Sequence, residues 1–256
     1  MSLLINLLNF WTTLRVSLVT VLEAPFRRIS REAMDRRVCG WGHEVCRHAK
    51  LDLKIEGLDQ LQLEPGGRYI IMCNHSSFYD IPVSLEVFKG VASVRMVAKA
   101  ELFKIPLWGA AMRGAEMISI DRHDRRQAAL DIARAKEKLE EGLVLWMAPE
   151  GTRSRDGRLG EFKTGGIKLA MDMSATIIPL GLEGVAQVMP PEGIAVYRGH
   201  QVTARIGTPI PTEGLPKSQR RAITAQLREE IRQLAHLPPD EPQLESSDSP
   251  AVAEDA

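Results

Sequence analysis

Four short apolar runs, each cut off by a polar or charged motif, constrain this chain more than any other feature. Tyr69–Cys73 (YIIMC) runs into residues 74–80 (NHSSFYD), and residues 94–98 (VRMVA) run into Lys99. Residues 117–120 (MISI) run into Asp121 and Arg122, and residues 143–147 (LVLWM) run through Ala148 and Pro149 into residues 150–154 (EGTRS). Apolar runs of this length between polar breaks predict buried strands of a parallel sheet. Open α/β sheets bind ligands beyond the carboxyl ends of their strands. Side by side, the four strands would bring one histidine, two acids and three cations to one cleft.

The rest of the chain fits that frame. Residues 51–56 (LDLKIE) alternate as a strand, and residues 175–182 and 201–206 read as two more. Residues 79–89, 164–173 and 217–235 carry helical patterns. The clearest amphipathic helix covers residues 125–141, where Ala128, Ile132, Ala135 and Leu139 recur at helical spacing before Gly142 stops it. Alternating strands and helices predict an α/β class with a mixed, largely parallel sheet flanked by helices. No internal repeat is present.

The N-terminus departs from this pattern. Its first 26 residues are mostly apolar but interrupted by Asn6, Asn9, Arg15 and several Thr and Ser. No basic start or small-residue cleavage site marks a secretory signal. Arg15 near the middle disfavours a full span, since a charge at bilayer depth is costly. Arg27, Arg28, Arg31, Arg36 and Arg37 form a basic flank suited to the anionic cytoplasmic leaflet. The expectation is an apolar helical membrane-binding arm, lying in the interface or dipping into one leaflet, with a helix packed on the domain's own core as the alternative. It continues into a helical linker at residues 33–50 that Gly40 and Gly42 break. The division is therefore arm and linker at 1–50, a catalytic-type domain at 51–236, and a disordered acidic tail at 237–256. That tail holds six acids and no Lys or Arg, so a formal net charge of zero leaves a basic body suited to an anionic partner. Cys39, Cys46 and Cys73 are too few and too irregular for a disulfide framework or a zinc site and read as free thiols.

Within residues 74–80, His75 and Asp80 stand five apart at a strand-to-helix turn. An imidazole with an ordinary pKa near 6.5 can take a proton from a hydroxyl, and Asp80 could hold its other nitrogen. Residues 77–80 equally fit a helix cap, with Asp80 serving only the backbone. A G-x-S-x-G elbow is absent, which ranks Ser76 and Ser77 low as nucleophiles. In residues 150–154, Gly151 permits a tight turn, Arg153 can fork onto a phosphate, and Glu150 can bind a hydroxyl or orient Arg153. Lys163 precedes Thr164, Gly165 and Gly166 at a helix start, where an anion is favoured. Lys99 and Arg122 add charge at strand ends. Cations around one histidine suit a phosphate-bearing substrate. No basic stripe interleaved with aromatics points to nucleic acid, and the other histidines lack metal-ligand spacing.

The order of motifs resembles the glycerolipid acyltransferase family. It runs N-H-x-x-x-x-D, then K-x-E-L-x-x-x-P-x-x-G from Lys99 to Gly109, I-D-R from Ile120 to Arg122, E-G-T-R-S, F-K-x-G from Phe162 to Gly165, and I-I-P from Ile177 to Pro179. The 1-acyl-sn-glycerol-3-phosphate acyltransferase type is the nearest match, over residues 51–211. The resemblance implies acyl transfer from acyl-CoA or acyl carrier protein to the free sn-2 hydroxyl of 1-acyl-glycerol-3-phosphate, giving phosphatidic acid, with no cofactor and no metal. It implies His75 as the base and Asp80 as the acid that orients it. Lys99, Arg122, Glu150, Gly151, Thr152, Arg153 and Lys163 would lie around the acceptor. It also implies partnership with the lipid bilayer, at the cytoplasmic face of the inner membrane. Another lysolipid acceptor, or a silent lipid-binding relative, remains open. One departure stands out: Glu116 occupies a place where the family pattern expects glycine, which would reshape the pocket floor.

Overall fold

The computed structural model describes residues 2–23, 29–121 and 124–239. Arg122, the Arg27–Arg28 part of the basic flank and residues 240–256 of the tail lie outside the described residues. Seven strands form one sheet: β1 (Asp52–Glu56), β2 (Tyr69–Cys73), β3 (Val94–Lys99), β4 (Ile118–Ile120), β5 (Val144–Met147), β6 (Thr176–Glu183) and β7 (Gln201–Ile206). Their order is β1-β7-β6-β2-β5-β3-β4, with every pairing parallel except β6 with β7. The four runs that open the sequence argument are therefore neighbours pointing the same way. The sheet is mixed and largely parallel, as their composition predicts.

Burial on both faces explains why β2 and β5 are apolar throughout, with period-two alternation dividing their side chains between two cores. In β2, Ile71 and Cys73 enter one core while Ile70 and Met72 enter the other. Val144 and Trp146 of β5 likewise part from Leu145 and Met147. The first face is covered by α1 (Ser2–Glu23), α2 (Arg31–His48), α3 (Asp80–Val87) and α4 (Trp108–Gly114). The second carries α5 (Arg125–Glu140), α6 (Thr164–Asp172) and α8 (Arg220–Leu234). One short turn of helix, α7 (Val185–Val188), follows β6. Asp124 caps α5 by accepting from the Arg126 and Gln127 N–H groups, and Gly142, at φ +82°, ends it.

The linker expectation needs correction. Gly40 and Gly42 do not break it: α2 runs unbroken from a Ser30 cap, whose hydroxyl accepts from Ala33 N–H, to His48. Gly42 is there for contact. A Cβ at that position would come within 3.0 Å of Leu85 Cβ and 3.1 Å of the Pro82 carbonyl on α3. A side chain there would have to push α3 away by a few tenths of an ångström.

Helix α1 is inside out. Thr12, Ser17 and Thr20 are buried, while Phe10 and Trp11 are 65% and 62% exposed, as are many of its leucines to similar degrees. The polar interruptions are buried or bond back to the protein, Arg15 from a half-exposed position. Thr12 bonds Glu44 at 3.1 Å, Arg15 pairs with the same carboxylate at 2.7 Å, and Trp41 Nε1 donates to Thr13 at 3.0 Å. Asn9 donates to Tyr79 Oη at 2.9 Å and faces His48 Nδ1 at 2.9 Å, reaching the residue next to Asp80. Burial and the neighbouring Arg47 charge hold the His48 imidazole below its ordinary pKa, consistent with a neutral ring donating to Asn9 Oδ1.

A partly buried ion cluster ties α2 to the sheet at the amino end of β3, remote from the carboxyl ends of the strands. Arg95 on β3 is completely buried and donates to Asp35 on α2 at 2.6 Å. Its Nη2 lies 3.5 Å from Glu116, which also takes Lys138 at 2.8 Å. Burial works against the charge on Glu116, but Lys138, Arg95 and Arg31 outweigh it and hold its carboxyl below the usual range. Glu116 sits at φ +59°, the left-handed region where glycine is at ease, and its side chain turns into this cluster. Breaking one side of a buried pair strands the other charge. Because Asp35 is partly exposed, we expect Asp35→Ala to cost about 2–3 kcal/mol, lowering the thermal midpoint by about 4–10 °C. Scanning calorimetry reads this directly; an unchanged midpoint would show that the cluster contributes nothing.

Candidate active site

Each functional segment begins where a central strand ends. After β2, Asn74 locks the turn to β6: its amide donates to the Leu182 carbonyl at 2.9 Å and accepts from Leu182 N–H at 2.8 Å. The next residue, His75, places Nδ1 2.7 Å from Asp80 Oδ2. That oxygen also accepts from the Ser76 and Ser77 N–H groups, each at 2.8 Å. The two sequence readings of Asp80 are thus one arrangement: it serves the backbone at the start of α3 and holds the imidazole together. An ionised carboxylate only accepts, so Nδ1 carries a proton, and in the neutral ring the lone pair falls to Nε2 on the far side. Trp146 of β5 meets the imidazole edge-on, with ring centroids 6.3 Å apart.

The segment after β5 closes over this turn. Glu150 is buried, and both of its oxygens go to backbone: Oε1 accepts from His75 N–H at 2.7 Å and Oε2 from Gly160 N–H at 2.8 Å. Burial pushes its carboxyl above the usual range, against the pull of those two bonds. Ser154 N–H donates to the His75 carbonyl at 2.7 Å, and Lys163 N–H to the Pro149 carbonyl at 2.8 Å. Gly151 takes φ +76°, which lets the chain reverse directly beneath the cleft.

One cavity of about 1250 Å³ joins these parts. His75, Lys99, Glu150, Gly151, Thr152, Arg153 and Lys163 all line it, while Asp80 lies fully buried behind His75. Arg153 and Lys99 are exposed at the cavity and form no ion pair among the described residues, whereas Lys163 lies 3.8 Å from Glu161. Away from the cations the walls are apolar, with Met34, Val38, Met96, Ala115 and Met117 from α2, β3 and the approach to β4, and Val16 of α1 alongside. Glu116 is absent from the lining, so the floor is not built from its side chain. The cavity exceeds the range of ordinary small-molecule pockets, about 300–1,000 Å³. Ser77 is no nucleophile here: it is buried and donates to the Met189 carbonyl at 2.7 Å. Burial likewise pushes the Cys73 thiol far up, so it does not ionise.

Several contributors carry little sequence signal. Asn74 and Ser154 are ordinary polar residues until their backbone partners are known, and Trp146 reads only as part of an apolar strand. Asn9 and Tyr79 connect α1 to the turn across 70 residues of chain.

The general acyltransferase family pattern matches residues 52–183, just over half of the chain. The chain belongs to the acyltransferase family. Its membership agrees with the motif order, and the matched stretch runs from β1 through β6, carrying His75, Asp80, Lys99, residues 150–153 and Lys163. A chloroplastic 1-acyl-sn-glycerol-3-phosphate acyltransferase of Arabidopsis thaliana is 33% identical over 158 residues, 62% of this chain and 43% of its own length. The chain thus spans less than half of that plant relative. A 1-acyl-sn-glycerol-3-phosphate acyltransferase of Pseudomonas aeruginosa is 28% identical over 207 residues, 80% of this chain and 76% of that protein. The crystal structure of the 1-acyl-sn-glycerophosphate (LPA) acyltransferase of Thermotoga maritima has the same fold. The TM-score is 0.73 at 23% identity, over 91% of this chain and 95% of that one.

Proposed function

We propose that this family member transfers an acyl chain from a thioester, acyl-CoA or acyl carrier protein, to the free sn-2 hydroxyl of 1-acyl-glycerol-3-phosphate, giving phosphatidic acid. One observation carries the reading: the His75–Asp80 pair opens into an apolar cavity whose other polar lining includes Lys99, Arg153 and Lys163. Names carried by the relatives support the same acceptor. His75 Nε2 takes the hydroxyl proton as that oxygen attacks the thioester carbonyl. The tetrahedral intermediate then collapses, the C–S bond breaks, and the imidazolium returns its proton to the departing thiolate. Asp80 stabilises the imidazolium as it forms. Both substrates held at once make a covalent enzyme intermediate unnecessary. Lys99, Arg153 and Lys163, with Thr152 and the Gly151 turn, surround the acceptor phosphate, and the I-D-R motif assigns Arg122 to the same group by sequence. Glu150 acts on the backbone of the base and does not meet the headgroup.

Helix α1 has the length and composition of a membrane-spanning helix, yet its polar stripe is spent on the protein. We read it as lying in one leaflet with Phe10, Trp11 and the outward leucines in lipid. Its place is the cytoplasmic face of the inner membrane, where the acyl thioesters are.

Purified protein in vesicles, labelled acyl-CoA or acyl carrier protein, and a panel of lysolipids read by thin-layer chromatography test the assignment. We expect fastest transfer to lysophosphatidic acid; transfer to no lysolipid, or preference for an uncharged headgroup, would overturn it. Arg153→Ala should raise the acceptor KM about tenfold with kcat little changed, since a charge-assisted bond to phosphate is held in ground and transition states alike. An unchanged acceptor KM would remove Arg153 from the headgroup site.

A further inference from the structure

Residues 189–199, between α7 and β7, are stitched down at several points. Tyr197 N–H donates to the Val188 carbonyl at 2.8 Å, Gly199 N–H to the Ala49 carbonyl at 2.9 Å, and Val196 is buried in the first core. Two further bonds bind the segment to the start of α1: Val196 N–H donates to Ser2 Oγ at 2.9 Å, and the Asn6 amide donates to the Ile194 carbonyl at 2.9 Å. Ser2 and Asn6 share one helix face, and Leu3 and Leu7 lie one position round from them. The segment therefore runs along α1 beside its exposed leucines.

What this held segment turns outward is apolar. Ile194 is 74% exposed and Tyr197 is 52% exposed, while Val196 between them faces in. A loop kept in place by four backbone bonds has no need to show isoleucine to water. Exposed apolar residues contiguous with another apolar face mark a contact surface. Tyrosine, apolar along its ring and polar at its tip, suits the boundary between hydrocarbon and headgroups. Glu192, earlier in the same segment, lies 3.9 Å from Arg155 with both side chains well exposed, a polar rim at the other end.

We propose that residues 190–197 form a second lipid-seated element, with Ile194 and Tyr197 entering the bilayer surface beside α1. The proposal rests on the reading of α1 as a membrane arm. Gly193 and Thr13 both border the main cavity. With lipid against both elements, the cavity mouth is framed on two sides by groups at membrane depth, and a lysolipid reaches it by lateral movement, without leaving the bilayer.

Cys39, Cys46 and Cys73 are all free and buried, so a cysteine placed on the surface can be labelled selectively in the full chain. An environment-sensitive nitrobenzoxadiazole probe at Ile194→Cys or Tyr197→Cys is compared with the same probe at Leu7→Cys on α1 and Glu137→Cys on α5. Each is read on vesicles of phosphatidylglycerol and phosphatidylethanolamine, with and without a nitroxide-bearing lipid. We expect blue-shifted, lipid-quenched emission at 194, 197 and 7, and water-like emission at 137. Ile194→Asp combined with Tyr197→Asp should weaken vesicle partitioning about tenfold. Probes at 194 and 197 that behave like 137 while 7 is embedded overturn the proposal alone. If 7 also stays in water, the membrane reading of α1 falls with it.

Discussion

Replacing His75 with alanine is expected to lower kcat for acyl transfer roughly a thousandfold while leaving the circular dichroism spectrum unchanged. The separation of effects follows from how the residue is held. Its backbone N–H goes to Glu150 and its carbonyl to Ser154, and neither bond needs the imidazole. The ring itself is one-fifth exposed at the cavity, so its loss opens no large void in a core. Asp80→Asn should cut kcat by roughly a hundredfold or more, because an amide can present its N–H to the imidazole and favour the tautomer with the proton on Nε2. Near-normal turnover in His75→Ala would remove the imidazole from the proposed chemistry; a severe loss there with normal turnover in Asp80→Asn would leave the base and remove its partner.

Glu150→Ala carries the second large effect, and here stability and activity should fall together. Two partly buried N–H groups, of His75 and Gly160, would lose their acceptor. An orphaned buried donor costs about 1–3 kcal/mol, so the pair, being only partly buried, amounts to at most about 2–6 kcal/mol. The same deletion frees the turn that carries the base, and we expect kcat to drop at least roughly a hundredfold. Glu150→Gln keeps one acceptor oxygen and should fall between. Burial holds the Glu150 carboxyl above its ordinary value. The folded state therefore binds a proton more readily than the unfolded one, and this group's contribution to stability declines as pH rises from the usual carboxylate range through the raised value. Urea titrations across that window should show the decline in the native chain and not in Glu150→Gln. A Glu150→Ala protein with native stability and turnover would show that the carboxylate holds nothing in place.

These expectations divide unevenly between what the residues announce and what only the fold reveals. Strands β2, β3, β4 and β5 are legible because burial on both faces favours largely apolar runs, Arg95 excepted, and the turn chemistry ends them sharply. His75 and Asp80 are legible for the same reason, since they stand at a strand end. The role of Glu150 is not: a carboxylate after a strand looks like a ligand group until its two oxygens are seen to point back at His75 and Gly160. Gly40 and Gly42 misled because helix propensity is a local quantity, whereas the close approach of α2 to α3 is tertiary. Glu116 was conspicuous as a departure, but its partners Arg95 and Lys138 sit on separate elements, and no spacing in the chain couples them.

On the proposed reading of α1 as a membrane arm, its inward polar stripe has a consequence for anyone exchanging anchors among such proteins. A plain oligoleucine helix would insert as well or better, yet it would offer no amide to Tyr79, no hydroxyl to Glu44 and no grip on the loop before β7. The catalytic body would then dangle from its tether and tumble, with its mouth turned to the bilayer only part of the time. Attachment and aim are separate properties here, and the asparagines and threonines that look like flaws in a hydrophobic segment are what supply the aim.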